Sequence, residues 1–432
     1  MPDLTIHDCQ WLVDEGASAI LQATNLLSAS QPVTSVVDKL RKTLSPVQTH
    51  LVLEQVELRK KAAAKFSGAD RMFFTDVKLQ QSTSEAIAKY KATKYSDGDV
   101  ADLCCGIGGD SIGLVNAQVQ RSFLHVDLDP VCCKFTYENL KAYGLNSPNV
   151  ECDDVANVDL APFSAWHLDP DRRVGGKRTA AVEFGSPNEA AIRSMLEVNS
   201  NAMIKLAPAC VVPDDWAMES HVEWIGHEGE CKQQVARFGE LASQVGMRTA
   251  IVLGGDGAIA GQVSGSADAM AGFVEVGEGT ELSKIQGCIY EPHAAVRAAG
   301  LTNSLANELG LKRLAAKQSY LVGDAAGSSN GVGGESLFNL VAGFEIVATL
   351  PFDRKRIRRE LEAMMATSAE VKTQTKLIDA LQEQKRLNSS LRNRKPSRKS
   401  NASSHDPDAY RVATVIAVKL REQLVAVVAF RI

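Results

Sequence analysis

The chain has 432 residues, 45% of them apolar, enough to bury a sizeable core in two or three domains and unlike a disordered tail or a fibre. Its formal net charge of -5 gives no whole-chain argument for nucleic acid, so any such argument must rest on local clusters. The nine cysteines form no CxxC array with zinc spacing, and neither a secretory leader nor an apolar run of about 18 residues is present; reduced thiols, a cytoplasmic location, no metal and no membrane role are expected.

From Leu4 to about Lys65 apolar positions such as Val52, Val56 and Leu58 recur among charges, predicting a helical N-terminal domain over 1–82. A further helix is expected from Thr83, an N-cap type of residue, to the turn Ser96-Asp97-Gly98-Asp99. Short apolar runs then alternate with helical stretches. The runs are Val100 to Cys104, Phe123 to Val126, a strand around Val150, Trp166 to Leu168 and Ala202 to Leu206, with Ser111 to Ala117 and Val131 to Tyr143 among the helices. This order predicts βαβ units and a parallel sheet, which His221 to Ile225 and Arg248 to Leu253 would complete. The Gly/Ala/Ser-rich stretch Ala258 to Ala271 is expected as a loop or linker ahead of a unit beginning near Gln286. Near the end, Thr414 to Lys419 and Leu424 to Phe430 predict a two-stranded hairpin.

The turn Asp102-Leu103-Cys104-Cys105-Gly106-Ile107-Gly108-Gly109 joins the first of these strands to a helix, and its glycines let ligand atoms approach the backbone. It departs from the dinucleotide fingerprint, because Ser111 stands where the third glycine belongs. A carboxylate ahead of the glycines would repel a pyrophosphate; Asp102 suits a ligand that carries an ammonium group. Asp127 ends the next strand, where a carboxylate can accept from both hydroxyls of a ribose, and Asp129 is a weaker candidate for that task. After the third strand, Asp153 or Asp154 could accept from an exocyclic amine, Asp154 being favoured. Acids at the ends of successive strands point to a nucleoside site; as single residues each reads equally well as a helix cap.

From Thr83 to about Asp154 the chain resembles RNA guanine-N2 methyltransferases of the trimethylguanosine-synthase type. The resemblance rests on Thr83, Glu85 and Ala88, on Asp102, Cys105, Gly106, Gly108 and Gly109, and on Asp127, Asp129 and Pro130. It implies a class I methyltransferase core that binds S-adenosylmethionine through Thr83, Asp102, Cys104, Gly106, Gly108, Gly109, Asp127, Asp129, Asp153 and Asp154. The wider layout resembles bacterial methyltransferases with a THUMP-like C-terminal domain, in which Tyr290 to Leu301 and Pro351 to Arg356 would fall. Together these imply an α/β protein with a helical domain over 1–82, a Rossmann-like methyltransferase domain over 83–284 and a THUMP-like α+β domain over 285–432.

The fourth strand departs from the pattern. Guanine-N2 and adenine-N6 enzymes place an aromatic ring there to stack on the base, whereas this chain reads His167-Leu168-Asp169-Pro170-Asp171-Arg172-Arg173. Asp169 can still accept an amine proton and is the best candidate for a role at the methyl acceptor. Leu206 occupies the place of the nucleophilic cysteine in pyrimidine-C5 enzymes, and Cys210 reads as a small buried residue. Basic clusters at Arg354, Lys355, Arg356, Arg358 and Arg359 and from Arg392 to Lys399 are candidate RNA contacts or, equally, a solvated helix face and a loop. Structured RNA is the expected substrate; the alternatives are a protein or small-molecule acceptor, or a non-catalytic RNA-binding protein that keeps the fold.

Overall fold

In this computed structural model, residues 4–117, 122–171, 173–174, 177–178, 185–266, 286–315, 318–324, 335–392, 412–420 and 422–432 are described. The chain divides into two compact units. The first comprises Met1–Glu228, Lys232–Met247 and Leu253–Ile259, and the second Gly229–Cys231, Arg248–Val252 and Ala260–Ile432.

The first unit opens with helices α1 (Ile6–Asp14), α2 (Gly16–Ser28), α3 (Val33–Leu40), α4 (Pro46–Ala62) and α5 (Asp76–Gln81). Thr5 and Ser45 begin α1 and α4 with capping boxes, each satisfying a backbone N–H that no helical carbonyl reaches. Next come α6 (Glu85–Ala92), β1 (Val100–Leu103), α7 (Gly109–Asn116), β2 (Phe123–Asp127), α8 (Pro130–Ala142), β3 (Val150–Cys152), β4 (Ala165–Leu168), the ribbon β5 (Arg173–Val174) and β6 (Lys177–Arg178), α9 (Glu189–Val198), β7 (Ala202–Leu206), α10 (Asp214–Glu219), β8 (His221–His227) and β9 (Glu230–Arg237). Strand order in the unit's sheet is β8-β9-β7-β4-β1-β2-β3. The pairs β1–β2, β1–β4, β2–β3 and β4–β7 are parallel, as the alternation of strands and helices predicts, while β9 enters antiparallel beside β7. Strand β9 was not expected: its first half is polar and partly exposed, so the strand lacks a continuous apolar run.

The N-terminal helices share one core with the glycine-turn helix and its neighbour, where Leu12, Val52, Phe66 and Phe74 cluster with Ile112, Phe135 and Leu140. Polar clamps fix the extended stretch after α4. Gln55 exchanges two hydrogen bonds with the backbone of Phe74, at 2.6 and 3.1 Å, and Asn139 exchanges two with Phe73, at 2.7 and 3.1 Å.

Two neighbouring strands, β10 (Met247–Leu253) and β11 (Ile259–Ser266), follow. Of the stretch Ala258 to Ala271 expected as a loop, Ile259–Ser266 is therefore strand; the part beyond Ser266, and the expected boundary at 284/285, lie outside the described residues.

The second unit continues with β12 (Cys288–Pro292), α11 (Ala294–Ala298), α12 (Thr302–Leu309), β13 (Lys312–Arg313), β14 (Leu321–Gly323), β15 (Val341–Pro351), α13 (Arg354–Ala363), β16 (Ser368–Thr373), α14 (Ala380–Arg392), β17 (Val412–Leu420) and β18 (Gln423–Arg431). Strands β12 to β18 form one sheet in the order β13-β14-β12-β15-β18-β17-β16. The expected hairpin is β17–β18, antiparallel from Thr414↔Ala429 to Leu420↔Gln423. Its apolar runs are continuous because both faces are covered: Val415 and Val428 meet Ile357, Leu361 and Leu387, while Ile416 and Val427 meet Ile289 and Phe344.

Candidate cofactor and acceptor site

At the end of β1 the backbone turns sharply. Cys104, Gly106 and Gly108 all have positive φ, at 56°, 57° and 84°, and Gly108 sits at the N-terminus of α7. Gly109 needs its hydrogen for a different reason, since a Cβ there would stand 3.0 Å from the carbonyl oxygen of Thr83. Thr136 on α8 donates to the Gly106 carbonyl at 2.8 Å and so holds the loop.

Asp127 ends β2 under this loop. One carboxylate oxygen accepts from the N–H of Gly106 at 2.8 Å and the other from the N–H of Asp129 at 3.0 Å. Each oxygen keeps a second acceptor position, so two ligand hydroxyls can be taken without breaking the brace. Burial raises the Asp127 carboxyl above its ordinary value, partly offset by these N–H groups and by Lys78. Burial works against the charge of Lys78, yet Cys132 and Asp127 carry it up to about 12. Asp129 is otherwise committed: it caps α8 through the N–H of Val131 at 2.9 Å and accepts from the Cys132 thiol. Asp153 and Asp154 are exposed, hold the turn after β3 through Asn157 and the N–H of Ala156, and are not among the residues lining the cleft.

Beneath the glycine turn lies a ladder of buried charges. Asp102 on β1 stands in register between His125 on β2 and His167 on β4, so the three side chains share one sheet face. Asp102 is fully buried and accepts from Ser111 at 2.5 Å; His167 Nδ1 lies 2.8 Å away and His125 Nδ1 3.6 Å. Burial alone would raise the Asp102 carboxyl, but the two imidazoles hold it far below the usual carboxylate range. His167 Nε2 faces the Lys91 ammonium at 3.0 Å, which places the ring proton on Nδ1, donating to Asp102. Lys91 pairs with Asp110 at 2.6 Å, and Thr83 donates to Asp110 at 2.8 Å. Burial lowers the Lys91 ammonium from its ordinary value despite that partner. Burial would likewise raise Asp110, but Lys91, His167 and Lys205 bring it down to about 2.

Where the ladder reaches the cleft, Lys205 on β7 donates to Asp169 at 2.6 Å and to the carbonyl of Gln81 at 3.3 Å, and lies 4.0 Å from Asp110. The C-terminal end of α5, which carries Gln81, is itself anchored, because the Lys65 ammonium donates to the carbonyls of Leu79, Gln80 and Ser82. The resulting cleft of about 860 Å³ is lined by residues that include Gly106, Asp127, Leu128, Asp169 and Lys205. No Phe, Tyr or Trp is among its described lining residues. No cluster of His, Cys, Asp or Glu that could hold a metal occurs among the described residues.

Thr83, Asp102, Cys104, Gly106, Gly109, Asp127, Asp129 and Asp169 thus line one cleft, with Gly108 shaping its loop. Thr83 does so by turning its hydroxyl to Asp110 rather than capping α6, whose cap position is Ser84. Asp102 reaches the cleft only as a buried side chain whose two oxygens are already engaged. The sequence assigns no role to Lys78, Lys91 or His167. The signal the sequence carries is a lysine among Ile87, Ala88, Tyr90 and Ala92 in one short helix, and all five prove buried. Cys210 is buried, Arg172 lies outside the described residues, and so does the cluster beyond Arg392.

No family model matches the chain. Two uncharacterized S-adenosylmethionine-dependent methyltransferases of Mycobacterium tuberculosis, from strains CDC 1551 / Oshkosh and ATCC 25618 / H37Rv, are each 26% identical to it over 350 residues, spanning 78% of this chain and 89% of theirs. A crystal structure from Porphyromonas gingivalis W83, provisionally named a methyltransferase, superposes with a TM-score of 0.70 at 17% identity, covering 96% of this chain and 98% of its own. The chain has a Rossmann-like methyltransferase fold and is a methyltransferase.

Proposed function

We propose that the chain transfers a methyl group from S-adenosylmethionine to a base of structured RNA, a tRNA or rRNA, in the cytoplasm. The cofactor assignment is carried by the brace between Gly106 and Asp127: the loop backbone is open where a Cβ of Gly106 would project, and the carboxylate below it keeps two acceptor positions. These residues fit a nucleoside with a free ribose edge, and the mycobacterial relatives bear the name of the same cofactor. When bound, S-adenosylmethionine supplies an electrophilic methyl group on a sulfonium. The chain's own residues do the rest. Gly106 and Asp127 hold the nucleoside, Cys104 and Gly109 shape the approach, and Asp169 accepts a hydrogen bond or a proton from the acceptor.

RNA is favoured by the second unit, which we read as THUMP-like. Its helix α13 exposes Arg354, Lys355, Arg356, Arg358 and Arg359 while burying Ile357 and Leu361. Mass spectrometry of nucleosides from cells lacking the protein tests this reading: a methylated nucleoside that disappears supports it. An unchanged nucleoside profile overturns the RNA assignment and leaves a protein or small molecule as acceptor.

A further inference from the structure

We infer that Lys205 is a positioning residue for methyl transfer: it aims the Asp169 carboxylate into the cleft and ties it to the C-terminal end of α5, where Gln81 lies. The inference rests on the reading of Asp169 as the acid at the acceptor. Three observations lead to it. Lys205 leaves the C-terminal end of β7, next to β4, where the strands of such a sheet present their ligand-facing residues. Its ammonium is buried, and it spans two walls of the cleft, with Asp169 on one side at 2.6 Å and the Gln81 carbonyl on the other at 3.3 Å. Behind it, Asp110 lies 4.0 Å away and is held by Lys91 and Thr83, so the ammonium has a fixed electrostatic seat.

A lysine that merely neutralised a surface acid would not need this seat. Asp169 is the more exposed partner, with 27% of its side chain accessible against 8% for Lys205. The carboxylate keeps its second oxygen for the acceptor, while Lys205 holds the first and fixes the direction of the group. Methylation of an N–H or O–H acceptor releases one proton, which leaves the acceptor through Asp169; Lys205 neither gains nor loses a proton in this scheme. A charge-assisted bond of this length fixes a carboxylate more firmly than a neutral donor could.

The test uses the full chain, tritiated S-adenosylmethionine, and RNA, protein and small-molecule fractions from cells lacking the protein. Label entering the protein or small-molecule fraction removes the RNA reading, and the Lys205 measurements then proceed on the labelled fraction. Lys205→Met should lower turnover about tenfold or more while S-adenosylhomocysteine affinity, read by calorimetry, stays within about twofold. Lys205→Arg, which keeps charge and donors, should recover most of the loss and also serves if the methionine variant fails to fold. In an Asp169→Asn background, Lys205→Met should cost nothing further, because the residue acts through the acid. Full additivity of the two substitutions overturns the inference, as does a parallel fall in cofactor affinity or a Lys205→Met enzyme as active as wild type.

Discussion

Charged residues do opposite work in the two units. In the first, Asp102, Lys91, Asp110 and Lys205 are buried, and each meets its partner at close range in a ladder with His167 between. In the second, the cations of α13 stand in solvent: Arg358 faces Glu362 at 3.4 Å on the same helix, and Arg354 reaches inward to the buried Glu383 through two hydrogen bonds, both at 2.7 Å. A buried charge must be matched or it unfolds the site, so the first arrangement fixes geometry. Exposed pairs contribute little to stability and leave their residues available for other contacts.

The sharpest way to break this contrast is to remove one member of each set. Asp110→Ala strands the Lys91 ammonium in the core and should cost about 3–5 kcal/mol in urea denaturation, whereas Arg358→Gln, which loses an exposed pair, should stay within about 1 kcal/mol. Equal costs would dissolve the distinction. The pH dependence has a defined sign. Asp110 titrates near 2 in the folded protein, below the ordinary carboxylate value of 3.8, so its contribution is present above about 4 and is lost as the pH falls toward 2.

A second buried cluster in the first unit extends the comparison to milder acid. His221 is pushed down to about 4, first by burial and then by the Arg237 guanidinium, which also holds Glu223 at 2.5 Å. The folded value lies below the unfolded one, so the unfolded chain binds this proton first. His221 therefore favours folding above about 6.5, and that contribution drains away as the pH falls toward 4. His221→Asn should flatten the stability profile across this window, by on the order of 1–3 kcal/mol at its acid end. Parallel profiles for the two proteins would show that another group governs the window.

Smaller, and confined to the cleft, is the contrast between two neighbouring acids. Asp127→Ala removes the acceptor positions offered to the ribose together with the brace on Gly106, and S-adenosylmethionine binding should weaken by about tenfold or more. Asp129→Ala removes a helix cap and should cost about 1 kcal/mol of stability with a lesser effect on binding. Calorimetry beside thermal denaturation separates the two, and identical outcomes would return both residues to the single role of capping.

These two acids also mark what a sequence discloses. The glycine turn and Asp127 were legible because a strand, its terminal acid and the next helix are neighbours along the chain. The expected strands in β2, β4, β7 and β17–β18 followed from apolar runs in the same local way. The ladder was not legible, because its members meet only through the sheet: Lys91 and His167 are 76 positions apart, and Lys205 and Asp169 are 36. Distance in sequence likewise hid the sharing of a core between Phe74 and Phe135. Asp153 and Asp154 show the converse error of locality, since an acid after a strand can equally close the turn that follows it, as both do here.

The smallest expected effect bears on the second unit alone. If α13 carries RNA, its free cations neutralise phosphates and release counterions, and affinity must fall as salt rises. Arg354 and Arg358 are engaged with Glu383 and Glu362, so the exposed residues to replace are Lys355, Arg356 and Arg359. Changing all three to Gln should flatten the plot of log affinity against log salt by roughly 2 units, at about 0.7–0.9 per phosphate contact. Stability should hardly move, because none of the three is buried. Binding of S-adenosylmethionine should not move either, since Gly106 and Asp127 belong to the first unit. The measurement is a salt series with tRNA and rRNA fragments, wild type beside the triple variant, with circular dichroism as the check on folding. Superimposable salt plots would make α13 a solvated face and nothing more, and the RNA reading would then have to find its cations elsewhere.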